Sequence, residues 1–196
     1  MANTNAPNGL VPYASAGGAS PPTYALRPVK ILYNEGAIYK GDPVKNLATG
    51  TVGRWTAATG VSQMAGVFWG CEYLSQTRGY TVESNYWPGT DVASTQYVTG
   101  FVVPCDLANP QWFVLQMNST GATILDVNAT LDLTMTAGST TTGWSAAVGD
   151  STTINTTATQ PFKIMQLYSG IDNTGTGAYA KVIVAANITQ STGILS

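Results

Sequence analysis

The sequence predicts an all-β fold, a single β-barrel or a jelly-roll-like sandwich, with few or no helices. Three observations support this prediction. Only 9% of the 196 residues are charged, so the chain lacks the residues that usually cover the outer faces of helices. Short runs of β-branched and aromatic residues recur about every 8–12 residues, with turn residues between them. No long stretch repeats its apolar positions with a period of about 3.6 residues.

The first 28 residues differ in composition from the rest of the chain. They contain five prolines and a single charged residue, Arg27. Proline lacks an amide donor and disfavours regular strand pairing. We therefore predict an extended N-terminal arm, residues 1–28, followed by a β domain, residues 29–196. The apolar side chains of the arm are predicted to anchor it on another surface, and they are Leu10, Val11, Tyr13, Tyr24 and Leu26.

Short strands separated by turns are predicted throughout the β domain. Gly66 and Gly70 indicate a bend or bulge in the longest of them, residues 65–74. The predicted strands are residues 31–33, 38–40, 44–47, 51–55, 65–74, 80–83, 96–103, 112–117, 123–127, 130–135, 162–168 and 180–188.

One long loop is predicted near the end of the chain. Residues 137–160 are dominated by Thr, Ser, Ala and Gly, and a loop of this length usually has a function or is mobile. Trp144 has few large apolar residues near it in this loop. We therefore expect it to act as an anchor, in this fold or on a neighbouring subunit. A short helix near residues 56–59 or 110–113 is a further alternative.

The residue types restrict the chemistry that the chain can perform. It has no histidine, which excludes Ser-His-Asp and Cys-His catalysis and His-ligated metal sites. It also lacks the glycine-rich motifs that bind phosphates and dinucleotides. We therefore predict no enzymatic activity, no cofactor and no metal. A glycosidase that uses Glu72 and Glu83 is the remaining catalytic alternative, although both acids are explained as ordinary strand or loop residues.

Aromatic residues suggest a second alternative function. Trp69, Trp87 and Tyr86 could form a platform for sugar rings, as in a head-fibre or receptor- and carbohydrate-binding β module. Packing in the core or in an interface explains the same residues more simply.

The charges and the cysteines restrict the partners that the chain can bind and the cellular compartment in which it is expected. Residues 79–162 carry a net charge of −6, and the rest of the chain carries +4. This split arises by chance, or it reflects a surface that meets an acidic partner. The bases form no cluster, so nucleic-acid binding is not predicted. With no apolar run of membrane-spanning length and no N-terminal secretory signal, we expect a cytosolic product with free thiols at Cys71 and Cys105.

Several stretches of the sequence are similar to one known family. The chain opens with MANTNAPNGL and LRPVK, continues with AIYKGDPVKNLATG and AGVFWGCEY, and ends with similar segments at residues 157–164, 172–173 and 180–187. These stretches, about half of the chain, resemble the capsid decoration or cement proteins of tailed bacteriophages. The matching motifs are turns and strands, without catalytic residues.

The resemblance implies a β-rich homotrimer on the outer surface of the virion. Such a protein is made in the host cytoplasm, binds the major capsid protein across capsomers and stabilises the shell without a cofactor. The expected partners are therefore the major capsid protein and further copies of the chain. The arm residues and Trp144 would supply contacts to a neighbouring subunit.

Overall fold

The computed structural model describes residues 3–15, 26–56, 64–105, 110–156, 160–170 and 173–187. Within these ranges the chain forms fourteen β-strands and one short 3₁₀ helix, Ile124–Asp126, so the all-β prediction is confirmed. No helix among them has the length and apolar character that crossing a membrane requires. The strands are β1 (Val11–Ser15), β2 (Arg27–Leu32), β3 (Ile38–Tyr39), β4 (Pro43–Asn46), β5 (Val52–Arg54), β6 (Gly66–Leu74), β7 (Thr81–Ser84), β8 (Tyr86–Trp87), β9 (Tyr97–Pro104), β10 (Gln111–Gln116), β11 (Thr130–Thr134), β12 (Val148–Asn155), β13 (Phe162–Leu167) and β14 (Lys181–Ala186).

The strands form two antiparallel sheets and a small ribbon. Sheet A has the order β1-β10-β14-β13-β11-β12. Sheet B has the order β2-β9-β6-β4-β5, and β7 pairs with the second half of β6. β3 and β8 pair with each other as a separate two-stranded ribbon. Two sheets that share a core are consistent with the sandwich alternative of the prediction.

Sheet B contributes to two hydrophobic cores. The first core lies between sheets A and B, and the second lies on the opposite face of sheet B, where Ile38 and Trp87 of the ribbon cover it. Successive residues of a strand point to opposite faces. Accordingly, Val67 of β6 packs in the first core and Phe68 in the second. This double burial explains the nearly continuous apolar sequence of β6.

Of the two glycines of β6, Gly70 lies at an interruption of the strand pairing, whereas Gly66 is paired in register with Pro104 of β9 and Val44 of β4. The register between β6 and β9 shifts between Phe68 and Gly70, which confirms a bulge at this point. At Gly66, a Cβ atom would overlap a methyl carbon of Val102, so the close approach of β9 requires glycine.

Three predictions of local structure differ from the structure. Residues 123–127, predicted as a strand, contain the 3₁₀ helix Ile124–Asp126. A third of the predicted loop at 137–160 is strand β12, because threonine favours strands and β11 offers a pairing edge. The helix alternative at 110–113 is also wrong, since β10 begins at Gln111. Residues 57–59 of the other helix alternative lie outside the described ranges.

Residues 3–15 lie on the chain's own β domain rather than on a separate arm. Leu10 is fully buried in the first core, and its amide donates a hydrogen bond of 2.9 Å to the carbonyl of Gly41. The side chain of Asn3 bonds to the carbonyls of Thr176 and Ala178 at 3.0 and 2.9 Å. β1 then pairs with β10 at the edge of sheet A. β2 also begins at Arg27, inside the predicted arm.

Replacement of Leu10 by alanine should destabilise the fold. Leu10 is packed on all sides, so the substitution leaves a cavity and should lower the free energy of unfolding by about 2–5 kcal/mol. Urea unfolding followed by tryptophan fluorescence measures this loss. Leu125→Ala makes the same chemical change at a side chain that is 89% exposed and should cost less than about 0.5 kcal/mol. Equal losses for the two variants would contradict a core position for Leu10.

Candidate functional site

The predicted arm residues do not form one contact surface. Leu10 belongs to the core and is not available to a partner, which corrects its assignment as a contact residue. Val11 is half-buried opposite Val114 and borders a cavity of about 220 Å³. Tyr13 is 41% exposed, and its ring meets Tyr168 edge-on at 6.0 Å.

The other two predicted arm contacts lie elsewhere. Leu26 is 39% exposed and immediately precedes β2 in sheet B, whereas Val11 and Tyr13 belong to sheet A. Tyr24 lies outside the described residues. Val11, Tyr13 and Leu26 therefore remain candidate contacts, on two different sheets.

Trp144 anchors its loop to this fold. Its half-buried ring meets Trp69 of β6 edge-on, with 5.8 Å between the ring centroids. The ammonium group of Lys40 lies 4.3 Å from the centroid of Trp69 and 5.0 Å from that of Trp144. Burial among these rings lowers the pKa of Lys40. The two tryptophans and the lysine thus stabilise one another through cation–π contacts.

A buried carboxylate also holds the loop that contains Trp144. Asp42 is fully buried and accepts a hydrogen bond of 2.7 Å from Nε of Arg54. It also accepts bonds from the backbone amide of Tyr39, at 2.9 Å, and from the hydroxyl of Ser145, at 2.6 Å. A buried charge needs such partners, because removing it from water is costly. These bonds join β3, β5 and the loop into one rigid unit.

The aromatic residues proposed as a sugar platform are engaged in packing. Trp87 is completely buried in the second core, and its Nε1 donates a bond of 3.2 Å to the carbonyl of Glu35. Trp87 therefore cannot stack against a ligand, which corrects that suggestion. Tyr86 stacks in parallel on Tyr39, with 5.5 Å between the rings, and Trp69 packs against Trp144.

Glu72 and Glu83 lie directly opposite each other on β6 and β7. Both are exposed, and like charges at such positions destabilise a sheet by up to about 1 kcal/mol. A glycosidase places its two acids on either side of a cleft. These acids share one open sheet face, so proximity is the only feature of the pair that favours catalysis. The glycosidase alternative stays a prediction.

The exposed side of sheet B around these acids was missed by sequence reasoning. We call it the outer face, and it consists of Lys30 of β2, Phe101, Thr99 and Tyr97 of β9, Gly70, Glu72 and Leu74 of β6, and Glu83 of β7. The ammonium group of Lys30 donates a hydrogen bond of 3.5 Å to the hydroxyl of Thr99. Where Gly70 lacks a side chain, an open hollow of about 350 Å³ lies beside Phe101 and Glu83. The alternation of Tyr97, Thr99 and Phe101 with buried Val98, Gly100 and Val102 was a signal for this face.

A second missed feature is an exposed apolar turn between β10 and β11. Ile124 and Leu125, here called the apolar tip, are 68% and 89% exposed. The carboxylate of Asp126 accepts bonds from the amide and hydroxyl of Thr123, at 2.7 and 3.0 Å, and the Asp126 amide bonds back to the Thr123 carbonyl at 3.1 Å. These bonds hold the tip in one conformation. The Thr-x-x-Asp spacing was the sequence signal for such a capped turn.

The acidic side chains of residues 79–162 do not form one acidic surface. Glu83 lies in sheet B, Asp126 lies beside the apolar tip, and Asp132 and Asp150 oppose each other in sheet A. Asp106 lies outside the described residues. Burial raises the pKa of Asp132, the neighbouring Asp150 raises it further, and a hydrogen bond from the Leu133 amide opposes both effects.

Both cysteines are free and buried in the two hydrophobic cores. Cys105 lies in the first core and Cys71 in the second, so the prediction of free thiols is confirmed. Burial raises the pKa of each thiol to about 12. Across the described ranges, no group of three or more His, Cys, Asp and Glu residues is placed to hold a metal ion.

Comparison with protein-family models, curated proteins and solved structures found no match to this chain.

Asp132 should make the fold less stable as the pH rises. Because its pKa is raised, the folded protein holds a proton between pH 3.8 and that raised value, where the unfolded chain has already lost it. The free energy of unfolding therefore falls through this window. Asp132→Asn cannot ionise, but it keeps an oxygen to accept the Leu133 amide. The variant should exceed the parent in stability at neutral pH, by up to about 1 kcal/mol, and match it below pH 3.8.

Urea unfolding of both proteins at a series of pH values measures this difference. A gap between variant and parent that stays constant across the series would contradict the assigned role of Asp132.

Both thiols should resist modification in the folded protein. With pKa values of about 12, they hold almost no thiolate near neutral pH, and both side chains are shielded from the reagent. Ellman's reagent should therefore react with neither cysteine in buffer and with both in guanidinium chloride. Rapid reaction of the native protein would show that a core opens readily, and no reaction after unfolding would indicate a disulfide.

Proposed function

We propose that this chain is a capsid decoration protein of a double-stranded DNA bacteriophage. It binds the outer surface of the major capsid protein shell across capsomers and stabilises the shell. The observation that carries this proposal is the apolar tip, because Leu125 and Ile124 are the most exposed large apolar side chains of the described residues. A leucine that becomes fully buried in a partner contributes about 1.5–3 kcal/mol to binding.

The rigidity of the tip supports its use as an anchor. Its turn is already held by the bonds between Thr123 and Asp126, so little conformational entropy is lost when it docks. Anchors of this kind fill pockets at the centre of an interface. The 9% content of charged residues also suits a protein that lies against other subunits, since charge is depleted at interface cores.

Stabilisation of the shell follows from preferential binding. A protein that binds the assembled shell better than its free subunits shifts the equilibrium towards the assembled state. We propose that the chain acts as a homotrimer, so that three weak contacts combine through their high effective concentration. Val11 and Tyr13 at the edge of sheet A are candidates for a second contact with the shell, and Leu26 is a candidate on sheet B. The protein would be made in the host cytoplasm and end on the outer surface of the virion.

Co-sedimentation with phage shells that lack this protein tests the proposal. The parent chain should bind the shells to saturation and raise the temperature at which they disassemble. Leu125→Ser should weaken binding about tenfold or more, because a polar side chain cannot fill the apolar pocket. Light scattering of the free protein should give three times the mass of one chain.

Tyr80→Ala is the matched control, since it removes another large exposed side chain, far from the tip in sequence. It should bind as the parent does. Failure of the parent to bind shells would exclude the decoration function. Equal binding by the Leu125 and Tyr80 variants would exclude the tip as the anchor.

A further inference from the structure

The outer face of sheet B presents two aromatic side chains along one strand. Tyr97 is 58% exposed and Phe101 is half-buried, while Val98 and Val102 point to the second core. Both rings lie on the same side of β9, because they are four residues apart. At about 3.3 Å per residue, their attachment points are about 13 Å apart. Thr99 lies between them.

Two carboxylates lie beside β9, between the positions of Tyr97 and Phe101. Glu72 pairs with Thr99 in register, and Glu83 pairs with Glu72 on the other side. Neither carboxylate accepts a hydrogen bond from another of the described residues, and a carboxylate can accept several. The unfavourable pairing of two acids would be relieved by hydroxyl donors from a ligand.

Gly70 leaves a hollow next to Phe101. The two residues are paired in register, and the missing side chain opens the space of about 350 Å³ that Glu83, Ser84 and Asn85 border on the opposite side. This volume lies within the range of small-molecule sites in proteins. The hollow therefore combines an aromatic wall with a carboxylate and an amide on its far side.

We propose that the outer face binds a linear, neutral oligosaccharide. One pyranose ring occupies the hollow with its C–H face against Phe101, and a later ring of the same chain packs on Tyr97. The hydroxyl groups between them donate hydrogen bonds to Glu72 and Glu83. Acidic sugars are disfavoured, because the two carboxylates outnumber the single ammonium group of Lys30 on this face.

This site differs in place and residues from the buried aromatic group around Trp87. It also lies on another sheet from the apolar tip, and it does not depend on capsid binding. A decoration protein with such a site would give the surface of the virion an affinity for glycans. The site works equally well on a chain that never meets a shell, so the two proposals fail or succeed separately.

Isothermal titration of the isolated protein tests the site with four probes. Maltohexaose, cellohexaose and chitohexaose are neutral, and hexagalacturonic acid has a matching length but carries carboxylates. We expect at least one neutral hexasaccharide to bind and the acidic one to bind about tenfold more weakly or not at all. Tyr97→Ala and Glu83→Gln should each weaken that binding about tenfold.

Tyr80→Ala is the matched control, because it removes an exposed tyrosine that does not belong to the outer face and should leave sugar binding unchanged. Tyr97 and Glu83 are exposed, so their variants are expected to fold, as circular dichroism would verify. Three results would overturn the proposal: no neutral probe binds, hexagalacturonic acid binds as well as the neutral probes, or the Tyr97 and Glu83 variants bind like the parent. Binding of hexa-arginine together with no sugar binding would reassign the face to a basic peptide.

Discussion

The structure depends on a sheet that is buried on both sides. β6 and β9 send alternate residues into two cores, so Val67 and Val103 pack against sheet A while Phe68 and Val102 pack against the ribbon. Each core therefore stabilises the other through the same two strands. The burial of β6 on both faces ends at the bulge at Gly70. Beyond the bulge, the face of sheet B that otherwise packs against sheet A carries the exposed Glu72 and Leu74. The outer face begins at this point.

The two candidate binding surfaces share one property. Their side chains are positioned by backbone that is already held in place, at the tip by the bonds between Thr123 and Asp126 and on the outer face by the strand pairing of β6, β7 and β9. Binding at either surface would order little additional structure. Their chemistry differs, because the tip is apolar and the outer face alternates aromatic rings with carboxylates. They therefore suit different partners, a protein pocket and a sugar chain.

Most strands could be predicted from the sequence, because alternation of apolar residues and intervening turn residues are local signals. The bulge in β6 was predicted for the same reason. β12 was missed, since its threonines and serines have the composition of a loop and become a strand only through pairing with β11. The strand predicted at 123–127 failed because Ile124 and Leu125 are apolar yet exposed, which contradicts the usual meaning of an apolar pair.

By itself, the sequence determined the fold class and the absence of histidine chemistry, because these follow from residue types and local patterns. Only the tertiary structure decided which apolar residues are exposed. Leu10 and Leu125 are chemically identical, yet one completes the core and the other lies 89% in solvent. Trp87 and Phe101 are both aromatic, yet Trp87 is buried in the interior and Phe101 lines an open hollow. Burial depends on which distant strands pack above a residue, and that information is not local in the chain.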